Sequence, residues 1–181
     1  MKFIETELKG AYIIEPERLE DERGFFARTF CQKEFEAQGL NPGLVQCSIS
    51  HNKRKGTIRG MHYQVAPMAE TRLVRCTKGA IYDVIIDLRT GSPTYCQSLA
   101  EDLDSENSRM IYIPEGFAHG FQTLEDDTEV FYQMSEFYSP EHARGVRWDD
   151  PAFGIRWPLD MKIISKKDKN YPLMSQTDLM C

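Results

Sequence analysis

No apolar run in the sequence approaches the roughly 20 residues needed to cross a bilayer, and the start MKFIETELKG has no apolar core of a signal peptide. Those two absences lead us to expect a cytosolic protein without a membrane partner. Positive charge is not in excess either: 22 Lys and Arg against 28 Asp and Glu leave a formal net charge of −6. A groove for nucleic acid needs a basic face, so nucleic acid is not expected as a partner, while a local basic pocket is compatible with the total. The five cysteines (Cys31, Cys47, Cys76, Cys96 and Cys181) include no CxxC pair. Neither a disulfide framework nor a thiolate zinc site is indicated, and the cysteines read as small core or surface residues. Repeats, low-complexity tracts and Pro/Ser-rich linkers are also missing, so residues 1–181 are expected to form one domain.

What the chain does have is frequent glycine and proline punctuation between short β-rich runs. In KGAIYDVIIDLRTGSPTY, residues Ala80, Tyr82, Val84, Ile86 and Leu88 share one parity before a Gly-Ser-Pro turn, which predicts a strand. RLVRCTKG, RMIYIPEG and TEVFYQMSEFYSP predict further antiparallel strands, each covered on one side. On alternation, Val130, Tyr132, Met134 and Tyr138 fall on one face of the last run. CQKEFEAQGL predicts a short helix that buries Phe35 and Leu40 and stops at Gly39. The expectation is a mainly β protein, an antiparallel jelly roll with a few short helices.

The chemistry concentrates in two stretches, TIRGMHYQVAPMAE and IPEGFAHGF. Gly60, His62, Gln64, Glu70 and Gly79, with Pro114, Gly116 and His119, resemble the two cupin motifs. A cupin metal site uses imidazoles and one carboxylate. Here Gln64 stands where the second histidine of a His-x-His pair belongs, which leaves His62, Glu70 and His119 as a weakened ligand set for a metal-dependent oxygenase or isomerase. A second chemistry needs no metal. A base removes the proton from a carbon beside a ketone, the enolate is held, and an acid returns a proton to the opposite face. Histidine, with an ordinary pKa near 6.5, suits the first task at neutral pH, and His62 is the candidate.

The ordered runs DERGFFARTF, GTIRGMHYQ, RLVRC with KGAIYDVIIDLR, YIPEGFAHGFQTL, EVFYQMSEFYSP, RWDDPAFGIRWP and ISKKD resemble the dTDP-4-dehydrorhamnose 3,5-epimerase family across nearly the whole chain. The resemblance implies a metal-free cupin jelly roll without a cofactor and a homodimer whose RGFF segment reaches the neighbour's pocket. It further implies an isomerase acting on a nucleotide-linked 4-keto-6-deoxyhexose at C3, C5 or both. It carries the base to His62, its carboxylate partner to Asp168 and the acid to Tyr132. Cations for diphosphate and enolate become Arg23, Arg59 and Arg72, and Gln46 is kept from the family pattern. His119 falls near the sugar, either orienting substrate, supporting His62 or simply lining the wall, while Phe26 and Tyr138 match aromatic ligand surfaces. A non-catalytic nucleotide-sugar-binding module is the remaining reading, and it has no need of an opposed acid and base.

Three departures bear on substrate. Arg28 stands where the family carries a carboxylate near the nucleotide base, and an arginine donates hydrogen bonds but accepts none, which leaves the base identity open. QCS replaces QDN, so that Cys47 and Ser48 lose a charge and an amide, with Asn52 a candidate to replace the amide. Arg72 replaces a lysine, which preserves charge but not shape.

Overall fold

The computed structural model describes residues 1–174, so Cys181 and the end of the expected domain lie outside the described residues. In chain order the elements begin with β1 (Lys2–Glu5), β2 (Tyr12–Glu15), β3 (Arg18–Asp21), β4 (Gly24–Ala27) and α1 (Gln32–Ala37). Next come β5 (Gln46–Asn52), β6 (Thr57–Gln64), β7 (Arg72–Lys78), β8 (Ala80–Asp87), β9 (Ser98–Asp104) and β10 (Met110–Ile113). β11 (Phe117–Thr123), β12 (Thr128–Met134), β13 (Ala143–Gly145), β14 (Ile163–Ile164) and α2 (Lys166–Lys169) follow. One sheet has the order β1-β2-β10-β7-β12-β5 and the other β13-β6-β11-β8-β9, with β14 running parallel to β6. β3 and β4 form a separate hairpin. The expected jelly roll is the fold that forms.

Alternation explains the layers. Inward residues of both sheets, among them Val74, Ile81, Ile85, Ile111, Phe121 and Val130, make the inter-sheet core. Helix α1 and the turn after it cover the outer face of the first sheet, packing Phe35 of the helix and Leu40 of the turn on Ile14, Leu73, Met110 and Tyr112. Gly39 stops it at φ +71, a left-handed conformation that glycine adopts without a Cβ penalty. On the outside of the second sheet, Val84 and Ile86 of β8 pack beneath Val146 and Phe153. Coverage on one side is therefore too little for the central strands: β10 and β11 are buried along their full length, and β8 is buried on both faces. The covering layers come from α1 and from loop residues beyond β13, which strand periodicity does not register.

TEVFYQMSEFYSP also differs from its expectation. The strand ends at Met134, after which Ser135 donates its backbone N–H to Thr71 O (3.1 Å) and its hydroxyl oxygen accepts from Thr71 N (2.8 Å). Tyr138 consequently belongs to the loop beyond β12 and not to the strand whose parity it shares with Tyr132. Of the cysteines, Cys76 is buried and Cys47 exposed, and burial pushes the Cys76 thiol up to about 12, so it is an inert core residue.

Asp87 closes the loop after β8. Its fully buried carboxylate accepts from Arg89 Nη2 (2.7 Å), Ser92 Oγ (2.6 Å) and Thr94 Oγ1 (2.7 Å). Burial alone would raise its pKa, but these donors overcome burial and bring it from 3.8 down to about 2. Because the folded value is the depressed one, this contribution is full above the unfolded value and is lost as pH falls through the folded value. We predict that Asp87→Asn lowers the unfolding free energy by about 2 kcal/mol at neutral pH. Denaturant melts should show the gap to wild type shrinking between pH 4 and pH 2 (roughly, from the same linkage); an equal gap throughout would refute the assignment.

Candidate active site

A cavity of about 580 Å³ opens between the β5–β12 side of one sheet and the β6–β13 side of the other. Its wall on the second sheet begins with two glycines. A Cβ at Gly60 would lie 2.5 Å from Gly120 Cα, and one at Gly120 would lie 2.6 Å from Arg59 O, so β6 and β11 approach where only glycine fits. This approach sets His62 opposite His119 in the ladder, with a register irregularity between His119 and Phe121. Gly60 also has φ +128 and turns its N–H toward Asp168 Oδ2 at 3.3 Å.

Asp168 arrives from the other end of the chain. β14 lies on β6, Ser165 caps α2 by accepting from Asp168 N at 3.0 Å, and the carboxylate of Asp168 is delivered to His62. His62 Nε2 and Asp168 Oδ1 are 2.8 Å apart, with Asp168 only 4% exposed. Burial by itself would raise the pKa of Asp168, but the His62 hydrogen bond and charge, the Gly60 N–H and Ser165 outweigh it and hold the carboxyl below its usual range. The aspartate is thus ionised at neutral pH and accepts from Nε2–H, which leaves Nδ1 of His62 as the ring nitrogen with a free lone pair. The charge run SKKDK does not expose this aspartate to water.

The opposite wall comes from the first sheet. Tyr132 on β12 lines the same cavity as His62 and meets the His119 ring edge-on, with centroids 5.7 Å apart. Burial, and then the nearby Asp83 carboxylate, push the Tyr132 phenol well above its ordinary value, against weaker downward pulls from Arg72 and Arg59. The phenol therefore stays protonated at neutral pH. His119 is buried and its Nε2 lies 2.7 Å from Asp83 Oδ2, so this nitrogen is committed to Asp83 rather than to supporting His62.

Among the described residues four cations line the cavity: Arg59, Arg72, Arg144 and Lys167. Arg59 donates to Asn52 Oδ1 (2.7 Å), so Asn52 orients a guanidinium instead of standing in for the lost amide. Arg72 bridges the sheets, donating Nη1–H to His62 O (2.9 Å) while its Nε and Nη2 grip Glu70 Oε1 at 2.9 and 2.5 Å. Against these four stand the lining carboxylates Glu70 and Asp168, which leaves a local excess of two positive charges in an acidic chain. That excess matches a diphosphate.

The remaining candidates divide. Gln46 and Tyr138 line the cavity, and Gln46 Oε1 accepts from Tyr138 N at 3.2 Å. Gln64 is a structural clip: it donates to Met68 O and Phe137 O and accepts from Ser139 N, anchoring the loop that carries Tyr138. Arg23 and Phe26 are not brought to this cavity. They project on the β3–β4 hairpin, Phe26 at 73% exposed, and Arg23 pairs with Asp21. Glu70 is spoken for by Arg72, and among the described residues no group of three His, Cys, Asp or Glu side chains is arranged to hold a metal ion. Lys167 and Arg144 escaped the sequence reading. Lys167 adjoins Asp168 in a matched motif, which was a usable signal; Arg144 carried none.

A sequence model described as dTDP-4-dehydrorhamnose 3,5-epimerase matches residues 5–176. The dTDP-4-dehydrorhamnose 3,5-epimerase of Methanothermobacter thermautotrophicus is 47% identical over 94% of this chain and 92% of its own. A crystal structure of dTDP-4-dehydrorhamnose 3,5-epimerase from Bacillus anthracis with TDP and PPi bound superposes with a TM-score of 0.92 at 43% identity, covering 96% of this chain and 99% of that one. The dTDP-6-deoxy-D-glucose-3,5-epimerase of Legionella pneumophila in complex with dTDP-4-keto-L-rhamnose gives 0.89 at 37% identity, covering 95% and 92%. Matched along nearly its whole length in sequence and in fold, the chain belongs to the dTDP-4-dehydrorhamnose 3,5-epimerase family.

Proposed function

We propose that the chain is a single-domain, cytosolic, homodimeric epimerase that inverts C3, C5 or both of a nucleotide-diphosphate 4-keto-6-deoxyhexose. One observation carries the reading: an imidazole backed by an ionised carboxylate and a phenol held protonated line one cavity from opposite sheets. His62 Nδ1 takes the proton from the carbon beside the C4 ketone, and the electron pair moves onto the C4 oxygen as an enolate. Cationic Arg72 and Arg59 stabilise that oxygen and the diphosphate. The Tyr132 phenol gives its proton to the opposite face of the carbon, the enolate collapses to the ketone, and water takes the abstracted proton from the His62 imidazolium and returns one to the Tyr132 phenolate, which resets both groups.

Homodimerisation is supported by what the isolated chain leaves uncovered. Leu19, Phe25 and Phe26 on the hairpin and Ile49 on edge strand β5 are more than half exposed, an apolar set suited to a second copy. The hairpin is free to carry Arg23 and Phe26 into that copy's cavity. A cytosolic location fits a chain whose Cys31, Cys47 and Cys76 form no disulfide, and no helix is long and apolar enough to cross a membrane among the described residues.

Incubation with thymidine-, guanosine- and cytidine-linked 4-keto sugars in heavy water, reading deuterium at C3 and C5 separately, tests the reaction, the base and the position together. His62→Ala should cut exchange at both carbons by at least ~100-fold; exchange at the wild-type rate would remove His62 as the base. Tyr132→Phe should still permit exchange but fail to invert one or more carbons, since removal and return use different faces. Arg23→Ala should raise KM by about tenfold with kcat unchanged, as expected for a group that contributes equally to ground and transition states. Sedimentation should give twice the monomer mass; a monomer with full activity would exclude the shared cavity.

A further inference from the structure

We propose that Tyr171 is a positioning residue for the His62 base, and that position 145 is glycine in order to admit it. The kinetic part of this inference rests on the epimerase reading of the cavity; the structural part does not.

Three residues beyond Asp168, the Tyr171 ring stands edge-on to the His62 imidazole, with centroids 6.0 Å apart and planes at 66°. A single hydrogen bond to Asp168 holds one point of the imidazole but still lets the ring tilt away from the carboxylate, and an imidazole that leaves Asp168 exchanges between its two tautomers. A second contact from an aromatic wall removes that freedom, and Tyr171 supplies it from the same short segment that supplies the carboxylate.

Gly145 pairs with His62 in the β13–β6 ladder. A Cβ there would lie 2.3 Å from Tyr171 Cζ and 2.4 Å from Cε2, distances that no packed ring tolerates. Gly145 lies outside the left-handed region, so it is needed for space and not for backbone conformation. The Tyr171 ring is thus placed between Gly145 on one side and the imidazole on another. Lys167, one turn earlier, sets its ammonium 6.0 Å from the ring centroid. Proximity to the Tyr171 oxygen raises the Lys167 pKa, although the pair falls short of hydrogen-bond geometry and, among the described residues, Tyr171 Oη is buried with no hydrogen-bond partner. The contact with His62 is made by the ring and not by the hydroxyl, and the ring does the positioning.

The test uses the full chain as Tyr171→Phe, Tyr171→Leu, Tyr171→Ala and Gly145→Ala. Nitrogen-15 spectra of labelled histidine, recorded without substrate, read whether His62 holds one tautomer with Nε2 protonated. Solvent deuterium exchange on the 4-keto sugar reads kcat and KM. Tyr171→Phe should match wild type in both. Tyr171→Leu, Tyr171→Ala and Gly145→Ala should show mixed tautomers and a kcat lower by ~10- to 100-fold, with KM within about threefold. Restoration by leucine would mean that mere bulk suffices, and a loss in Tyr171→Phe equal to that in Tyr171→Ala would assign the role to the hydroxyl; either result overturns the proposal. So would wild-type tautomer and kcat in Gly145→Ala, which keeps the tyrosine and decides the matter if Tyr171→Ala does not fold. A wild-type protein without exchange activity would reject the epimerase reading, while the tautomer spectra would still decide the positioning claim.

Discussion

The contact between His62 Nε2 and Asp168 Oδ1 joins residues 106 apart in sequence at 2.8 Å, and much of the site depends on it. A carboxylate 4% exposed must be compensated, because an unpaired buried charge is destabilising by several kcal/mol. The compensation comes from His62, from the Gly60 amide and from the capped start of α2. Those three come from two distant stretches of the chain. The interaction that orients the imidazole therefore also holds the segment carrying α2 over β6, where β14 adds only two residues of ladder.

The same sandwich drives two ionisable groups in opposite directions. Burial acts upward on both Asp168 and Tyr132, but Asp168 is surrounded by donors and ends below its usual range, whereas Tyr132 faces the Asp83 carboxylate and ends above its own. At neutral pH one is a fixed anion and the other a fixed acid. Opposed protonation states on the two walls are what a proton transfer across a carbon requires, and they arise from neighbours and not from the residues' intrinsic values.

Strand positions and the helix at Phe35 were legible because each carries a local period or stop signal, and the RG-x-H and PEGFAHG stretches were legible as motifs. What eluded local reading follows a common cause. Asp168 sits in a basic run whose pattern is that of a solvated face, and only the closed fold withdraws it from water. Both-sided burial of β8, β10 and β11 depends on α1 and on the residues beyond β13, which lie elsewhere in sequence. Tyr138 keeps the parity of Tyr132 yet belongs to a loop, since Thr71 and Ser135 end the strand by hydrogen bonds that no alternation rule contains. Glu70 reads as a metal ligand until Arg72 is seen to occupy it, two positions away on the chain.

Distance between the walls also has to be held, since the proposed acid Tyr132 and the proposed base His62 belong to different sheets. Arg72 does this directly: rooted in β7 of one sheet, it donates to the His62 carbonyl on the other, and Glu70 keeps the guanidinium from turning away. The His119 ring, bonded to Asp83 and packed edge-on to Tyr132, makes a second span across the sandwich. A displacement of about 1 Å between reacting groups can cost a hundredfold in rate, so these two bridges matter more to the chemistry than their individual energies suggest. An arginine meets the demand better than a lysine in one respect, for its planar fork can hold Glu70 and the His62 carbonyl at once and still present N–H groups to the cavity. The departure at position 72 is therefore compatible with the reaction: the charge is retained, and the second sheet is tied to the first by the group that carries it.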